Sequence, residues 1–301
     1  MAVAFLGLVL LLAVLNTSSL THASSSTASK VSAGIYLVNV PKFELSSGSY
    51  DLDFYLWFIW SGNQTLNYEF MNGRASSIDI LQSEEGIYNV RVRGTFIKNL
   101  NFRNYPFDRH RLTIEIEDKL LTQEELEFVP DYEGSGIDSE INIAGWNIEE
   151  WKIDVVKHNY PGELTYSRLV FSFTIARSTS SSVLKSIVPI AIITTIAMLA
   201  FLISPSNYGQ RIGLGVTALM SAVANHLALM NQIPPIGYLT LADKIMITAY
   251  GMFLYSLMTS VMLMRLVDQK RTESALKMNR KAGLFAPIFA FALLAVLIFI
   301  A

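Results

Sequence analysis

Four apolar stretches occupy positions 184–203, 212–233, 245–267 and 284–301. A helix of about 20 apolar residues crosses the roughly 30 Å hydrocarbon layer of a bilayer, so this part of the chain is committed to membrane-spanning helices whose backbone bonds are internal. The first, third and fourth stretches are dominated by Ile, Leu, Met, Ala and Phe. The second is interrupted by Gly213, Thr217, Ser221, Asn225 and His226. Polar groups in hydrocarbon face a bundle interior or a water-filled cavity, which marks this helix as a lining element.

Its spacing defines a face. Gly213, Thr217, Met220, Ala224, Leu227 and Asn231 recur at helical intervals and form one stripe. Hydroxyl and small groups can face hydrated ions, and an apolar collar such as Met220 or Leu227 can close a pore by dewetting. One helix cannot enclose a pore, so the reading requires a symmetric ring of copies. The competing reading is that small and polar residues pack one helix against another.

Charge separates the chain into two parts. Positions 24–182 hold 22 acidic and 14 basic residues, and positions from 183 onward hold 3 and 9. The basic residues gather between the third and fourth stretches, at Arg265, Lys270, Arg271, Lys277, Arg280 and Lys281, with Arg211 between the first and second. An excess of Lys and Arg marks the cytoplasmic side, which puts the acidic part outside a cell membrane in a multi-pass protein. Positions 1–23, with an apolar run at 2–15 and Thr21-His22-Ala23 behind it, read as a signal peptide, although no basic residue precedes the run. Asn16-Thr17-Ser18 and Asn63-Gln64-Thr65 match the glycosylation acceptor pattern. There is no cysteine, which excludes disulfides and thiolate metal sites.

Positions 24–182 read as strands. Segments 34–40, 50–60, 88–97, 111–117, 151–156 and 166–175 are rich in Val, Ile, Thr and aromatic residues, with turn signals such as Ser47-Gly48, Asn72-Gly73 and Pro161-Gly162 between them. The expected fold is an extracellular antiparallel β-sandwich followed by a four-helix transmembrane bundle at 183–301. No nucleotide loop, zinc-protease motif or nucleophile triad is present, and the four histidines, His22, His110, His158 and His226, supply a His-based active site poorly. No enzyme activity, cofactor, resident metal or nucleic-acid partner is expected. The carboxylate-dense stretches 115–127 and 131–140 leave oxygen-ligand cation binding open beside an ordinary solvated face.

These features, in this order, resemble the pentameric ligand-gated ion channels. Asn104-Tyr105-Pro106-Phe107-Asp108 is similar to the family's proline loop, and Arg177 precedes the first span with Pro189 inside it. Arg211-Ile212-Gly213-Leu214-Gly215-Val216-Thr217 resembles the start of the pore helix, and Asn231-Gln232-Ile233-Pro234 its outer end. Gly145-Trp146-Asn147-Ile148-Glu149 resembles a motif of bacterial members. The missing cysteines are similar to the microbial branch. Two departures stand out: residues 61–69 are shorter than in relatives, which carry an additional strand and a Trp-x-Pro segment there, and the linker at 268–283 leaves no room for a large intracellular domain.

The resemblance implies a homopentamer embedded in membrane lipid and gated from its outer domain. It places Glu44, Leu45, Asp108, Arg177 and Pro234 in the layer that couples the outer domain to the pore, and Gln210 and Arg211 at the inner mouth. It makes Tyr55, Tyr160 and Tyr166 agonist candidates. An aromatic cage would favour a cationic amine, while protons, a divalent cation or no small-molecule modulator at all remain alternatives. A weak cation preference is expected, with an anion-selective pore and a non-conducting membrane-anchored sensor or binding protein as alternatives.

Overall fold

The computed structural model describes residues 28–62, 65–162 and 164–299. The signal-peptide segment 1–23, Asn16 with its acceptor pattern, and the Asn63-Gln64 pair lie outside the described residues. So do the last two positions of the expected fourth span.

Ten strands form two sheets. They are β1 (Ser29–Glu44), β2 (Ser49–Trp60), β3 (Tyr68–Phe70), β4 (Gly73–Glu84), β5 (Ile87–Ile97), β6 (Arg109–Asp118), β7 (Leu126–Pro130), β8 (Gly136–Ile137), β9 (Trp146–Asn159) and β10 (Thr165–Arg177). One sheet runs β4-β5-β2-β1-β7 with β8 beside β1, and the other runs β3-β6-β10-β9. Alternation builds the core: β2 turns Tyr50, Leu52, Phe54, Leu56 and Phe58 inward and its intervening residues outward. Leu112, Ile114 and Ile116 of β6 and Leu169, Phe171 and Phe173 of β10 close the core from the facing sheet.

The sandwich departs from the expected one in two ways. It is not wholly antiparallel, because β1 pairs β7 and β8 in parallel. It also has four strands the alternation did not disclose. β3, β7 and β8 are only 3, 5 and 2 residues long, too short for a period to register. β4, GRASSIDILQSE, is an edge strand with both faces largely open, so neither its pattern nor its composition marks a buried side.

Among the described residues four helices are long and apolar enough to cross a membrane: α1 (Thr179–Leu202), α2 (Tyr208–Met230), α3 (Leu241–Asp268) and α4 (Thr272–Phe299). α1 opens with a wide π-helical turn over Val183–Ile187, just before Pro189. Pro189 has no N–H to return to the preceding turn, so the regular ladder cannot run through it. α3 starts on a capping box in which Thr240 and Asp243 satisfy each other's backbone N–H groups at 2.8 and 3.1 Å. The expected linker at 268–283 is mostly helix, since only residues 269–271 separate α3 from α4. The turn passes through Lys270 at φ 61°, the left-handed conformation typical just beyond a helix end.

The sandwich sits on the α2–α3 end of the bundle. Phe102 and Tyr105 from the loop before β6 form a buried cluster with Leu229, Ile233 and Ala242, against which Leu45 and Tyr238 also pack. The backbone N–H groups of Leu241 and Ala242 donate to the carbonyls of Arg103 and Tyr105, both at 2.9 Å. The basic α3–α4 turn is therefore at the opposite end.

Candidate functional site

α2 has one buried face and one open face. Arg211, Gly215, Ala218, Ala222 and Leu229 are buried. At Gly215 α2 comes close to α3, where a Cβ would displace the Leu257 side chain. Every residue of the expected stripe, Gly213, Thr217, Met220, Ala224, Leu227 and Asn231, is on the open face, with Met220 69% and Leu227 61% exposed. Thr217 donates its hydroxyl proton to the Gly213 carbonyl at 2.9 Å, and Ser221 donates to Thr217 at 3.0 Å. Both hydroxyl oxygens thus keep lone pairs free on the open side.

Two of the polar interruptions belong elsewhere. His226 contacts Asp243 Oδ1 through Nε2 at 3.0 Å and the Tyr250 hydroxyl through Nδ1 at 3.1 Å, both on α3. Asn225 donates to Met246 Sδ at 3.9 Å. These residues join helix to helix, as the competing sequence reading holds, and do not line the open face.

Arg211 also departs from its expected place at the mouth. It is fully buried, donating to the Ile203 carbonyl at 2.7 Å and the Ser260 hydroxyl at 3.3 Å, with its guanidinium over the Phe201 ring. Two residues before Gly213 is about 200° around a helix, which turns Arg211 into the bundle. Gln210 is exposed.

The second candidate site is the junction. Arg177, at the end of β10, grips Asp108 with two bonds of 2.8 and 3.3 Å, and His110 Nε2–H donates to the same carboxylate at 2.7 Å. The Asp108 side chain is 0% exposed and that of Arg177 17%. The Arg177 guanidinium lies over Trp146 at 4.5 Å and Tyr105 at 5.2 Å. Burial pushes the Asp108 carboxyl up, but the hydrogen bonds from His110 and Arg177 outweigh it and hold the group below the usual carboxylate range. The pair is therefore a buried contact and not a surface one. His110 escaped sequence reasoning. The signal was the Asp108-Arg109-His110 spacing, since residues two apart at the start of a strand share a face.

Other coupling candidates divide. Leu45 packs on the junction cluster, and Pro234 lines a cavity of about 320 Å³ with Leu45, Lys98 and Tyr238. Glu44 is half-buried and pairs with Lys42 at 2.7 Å instead of reaching Asp108 or Arg177.

The agonist candidates also divide. Tyr160 and Tyr166 flank the β9–β10 hairpin with rings 5.6 Å apart, and the Tyr160 hydroxyl donates to Glu117 at 3.0 Å. Tyr55 is on β2 in the other sheet, with the Arg91 guanidinium over its ring at 5.5 Å. One chain does not assemble the three into a cage. Two carboxylates of the acidic stretch beside them are paired with cations: Arg168 binds Glu117 at 2.6 Å and Glu115 at 3.0 Å, and Lys98 binds Glu115 at 2.8 Å. Among the described residues no group of three or more His, Asp or Glu side chains is placed to hold a metal ion. No protein-family model matches the chain.

Proposed function

We propose that five copies of this chain form an ion channel of the pentameric ligand-gated type, with the open face of α2 around the pore. The observation that carries the reading is the pairing of faces on α2. One side is buried on α1 and α3, while the other, carrying Gly213, Thr217, Ser221 and Asn231, has no cover within the chain. Polar groups in a hydrocarbon layer need water or protein beside them. A ring of copies around an aqueous axis supplies water.

The remaining parts fit gating from outside. The basic α3–α4 turn faces the cytoplasm by the positive-inside rule, and the sandwich is then external. The Asp108–His110–Arg177 cluster joins the sandwich to the start of α1, where movement of β10 can pass to the bundle. Breaking a buried pair leaves an uncompensated charge, so such a cluster favours discrete arrangements over graded ones. Tyr55 and the Tyr160–Tyr166 pair, on opposite sheets, can meet across the boundary between copies, where an agonist would bind. Free hydroxyl lone pairs at Thr217 and Ser221 favour cations over anions.

The test is recording from purified protein in planar bilayers, with pH steps and divalent-cation titration, in wild type and Met220→Ser. Unitary current steps, and resting openings in Met220→Ser where an apolar collar has been wetted, are expected. Saturating flux without steps would mean a transporter. Silence in both proteins would leave a sensor or a channel whose agonist is neither a proton nor a divalent cation.

A further inference from the structure

Among the described residues Met220 is the most exposed methionine, at 69%, and it stands on the open face of α2 between Thr217 and Ala224. Both neighbours on the stripe are shorter than methionine and do not cover its sulfur. The chain contains no cysteine, which leaves the methionine thioether as its oxidisable sulfur. Other methionines of the bundle sit differently: Met246 and Met252 are buried on α3, and Met258 and Met262, also on α3, are each 52% exposed but are not on the lining helix. The hydroxyls beside Met220 decide what a sulfoxide would do there. Thr217 and Ser221 donate their protons to the Gly213 and Thr217 carbonyls, at 2.9 and 3.0 Å, and turn only acceptor lone pairs to the open side. A sulfoxide oxygen is itself an acceptor, so it finds no donor in these two hydroxyls and takes its donors from water.

We propose that Met220 is a redox modification site, at which hydrogen peroxide converts the ring of thioethers to sulfoxides and so hydrates and opens the pore. The inference rests on the channel reading above. In the step, a sulfur lone pair attacks one peroxide oxygen, an S–O bond forms as the O–O bond breaks, and the second oxygen leaves as water with both peroxide protons. The thioether is oxidised by two electrons and the peroxide is reduced by two. The product is polar where the thioether was apolar, and an apolar collar is what closes a pore by dewetting. Hydrogen peroxide is small and uncharged, so the acidic outer domain does not repel it. A leucine at this position would close the pore as well and carry no such chemistry.

Peptide mass spectrometry and planar-bilayer recording of the full chain, each before and after hydrogen peroxide, test this together. Met220 should be oxidised at lower peroxide than Met246 and Met252. A net hydrogen bond to water is worth about fivefold in an equilibrium for each copy, so an oxidised ring should raise the resting open probability at least about tenfold. Met220→Leu, which keeps the collar apolar without a sulfur, should abolish the rise. The paired changes Met258→Leu and Met262→Leu should leave it as in wild type. Met220→Gln, polar without peroxide, should open at rest untreated. Oxidation of Met220 with no rise, an equal rise in Met220→Leu, or a Met220 that stays reduced while Met246 is oxidised would each overturn the proposal. Met220→Ser separates this site from the reading it rests on. Openings in that variant with none from oxidised wild type overturn the proposal alone, whereas silence in both, with Met220 oxidised, overturns it and also withdraws the wetted collar from the channel reading.

Discussion

The cluster around Asp108 is complete within one chain, whereas the open face of α2 is not. At Asp108 every partner is present, from the bidentate Arg177 to the His110 donor and the flanking rings of Trp146 and Tyr105. On α2 the hydroxyls are satisfied inward and a large methionine and leucine stand uncovered. Damage at the junction should therefore appear as lost stability in each protomer. Damage on the open face should leave the protomer intact and alter only what the assembly does.

The sharpest way to break that contrast is to remove one partner of the buried pair. Arg177→Gln or Asp108→Ala leaves the other charge buried and should cost about 3–5 kcal/mol, measured as a lower denaturation midpoint. Whatever assembles should carry much reduced evoked current. Asp108→Asn with Arg177→Gln should be less harmful than the two single effects added, with an interaction of about 0.5–3 kcal/mol. Small additive shifts would mean that the two charges do not depend on each other and would remove the pair from the coupling layer.

Neighbouring positions on α2 give the next largest effect. Leu219 packs on the buried α1–α2–α3 cluster, and Met220 does not. Leu219→Ala should cost about 2 kcal/mol, while Met220→Ser should stay within about 0.5 kcal/mol of wild type and raise resting conductance. Cysteine-accessibility labelling checks the same face in the assembly. Labelling at 219 and 223 with protection at 220 and 224 would mean that α2 is rotated there relative to its place in the single chain.

How much of this was legible in the sequence depends on whether a residue's role is periodic. The stripe was readable because intervals of three and four persist across 19 residues, from Gly213 to Asn231. A strand such as β2 was readable for the same reason, since its buried residues alternate. β4 was not, because an edge strand open on both sides imposes no pattern. His226 misled because a lone polar residue in an apolar helix looks the same whether it meets water or, as here, an aspartate one helix away. The mouth placement of Arg211 came from its position in a motif, although helical geometry already turned its side chain aside. His110 was marked only by its spacing from Asp108, and no local pattern shows that Arg177, 69 residues from Asp108, closes onto the same carboxylate.

Acid should separate the two regions next. Asp108 is held below its ordinary 3.8, and Glu115 below its ordinary 4.5, in each case by partners that outweigh the upward push of burial. A carboxylate lowered in the folded state contributes stability above its unfolded value and loses it as pH falls through the folded one. Thermal stability should therefore hold from neutral pH down to the ordinary carboxylate range and fall below it, a decline that Asp108→Asn reduces. A midpoint that drops between pH 7 and 5 would point to a different group. Met220→Ser should follow the wild-type acid profile, since no titrating group is involved.

The smallest expected effect is on ion preference, because its sources oppose one another. Arg211 is a buried cation with no carboxylate among its partners, one residue from exposed Gln210, and a positive charge there works against cations. The outward lone pairs of Thr217 and Ser221 work for them. So does the net charge of −8 across positions 24–182 of each copy, although salt screens it over a Debye length of about 10 Å at 0.1 M. A modest cation preference that declines as salt rises is the expected balance. Gln210→Glu should strengthen it, because five carboxylates would then ring the mouth and oppose the five Arg211 charges beside them. Bi-ionic reversal potentials at low and high salt measure both effects. A wild-type reversal potential that follows the chloride gradient at low salt would mean that the buried Arg211 outweighs the hydroxyl face and the acidic sandwich together, and Gln210→Glu would then be expected to weaken the anion current instead.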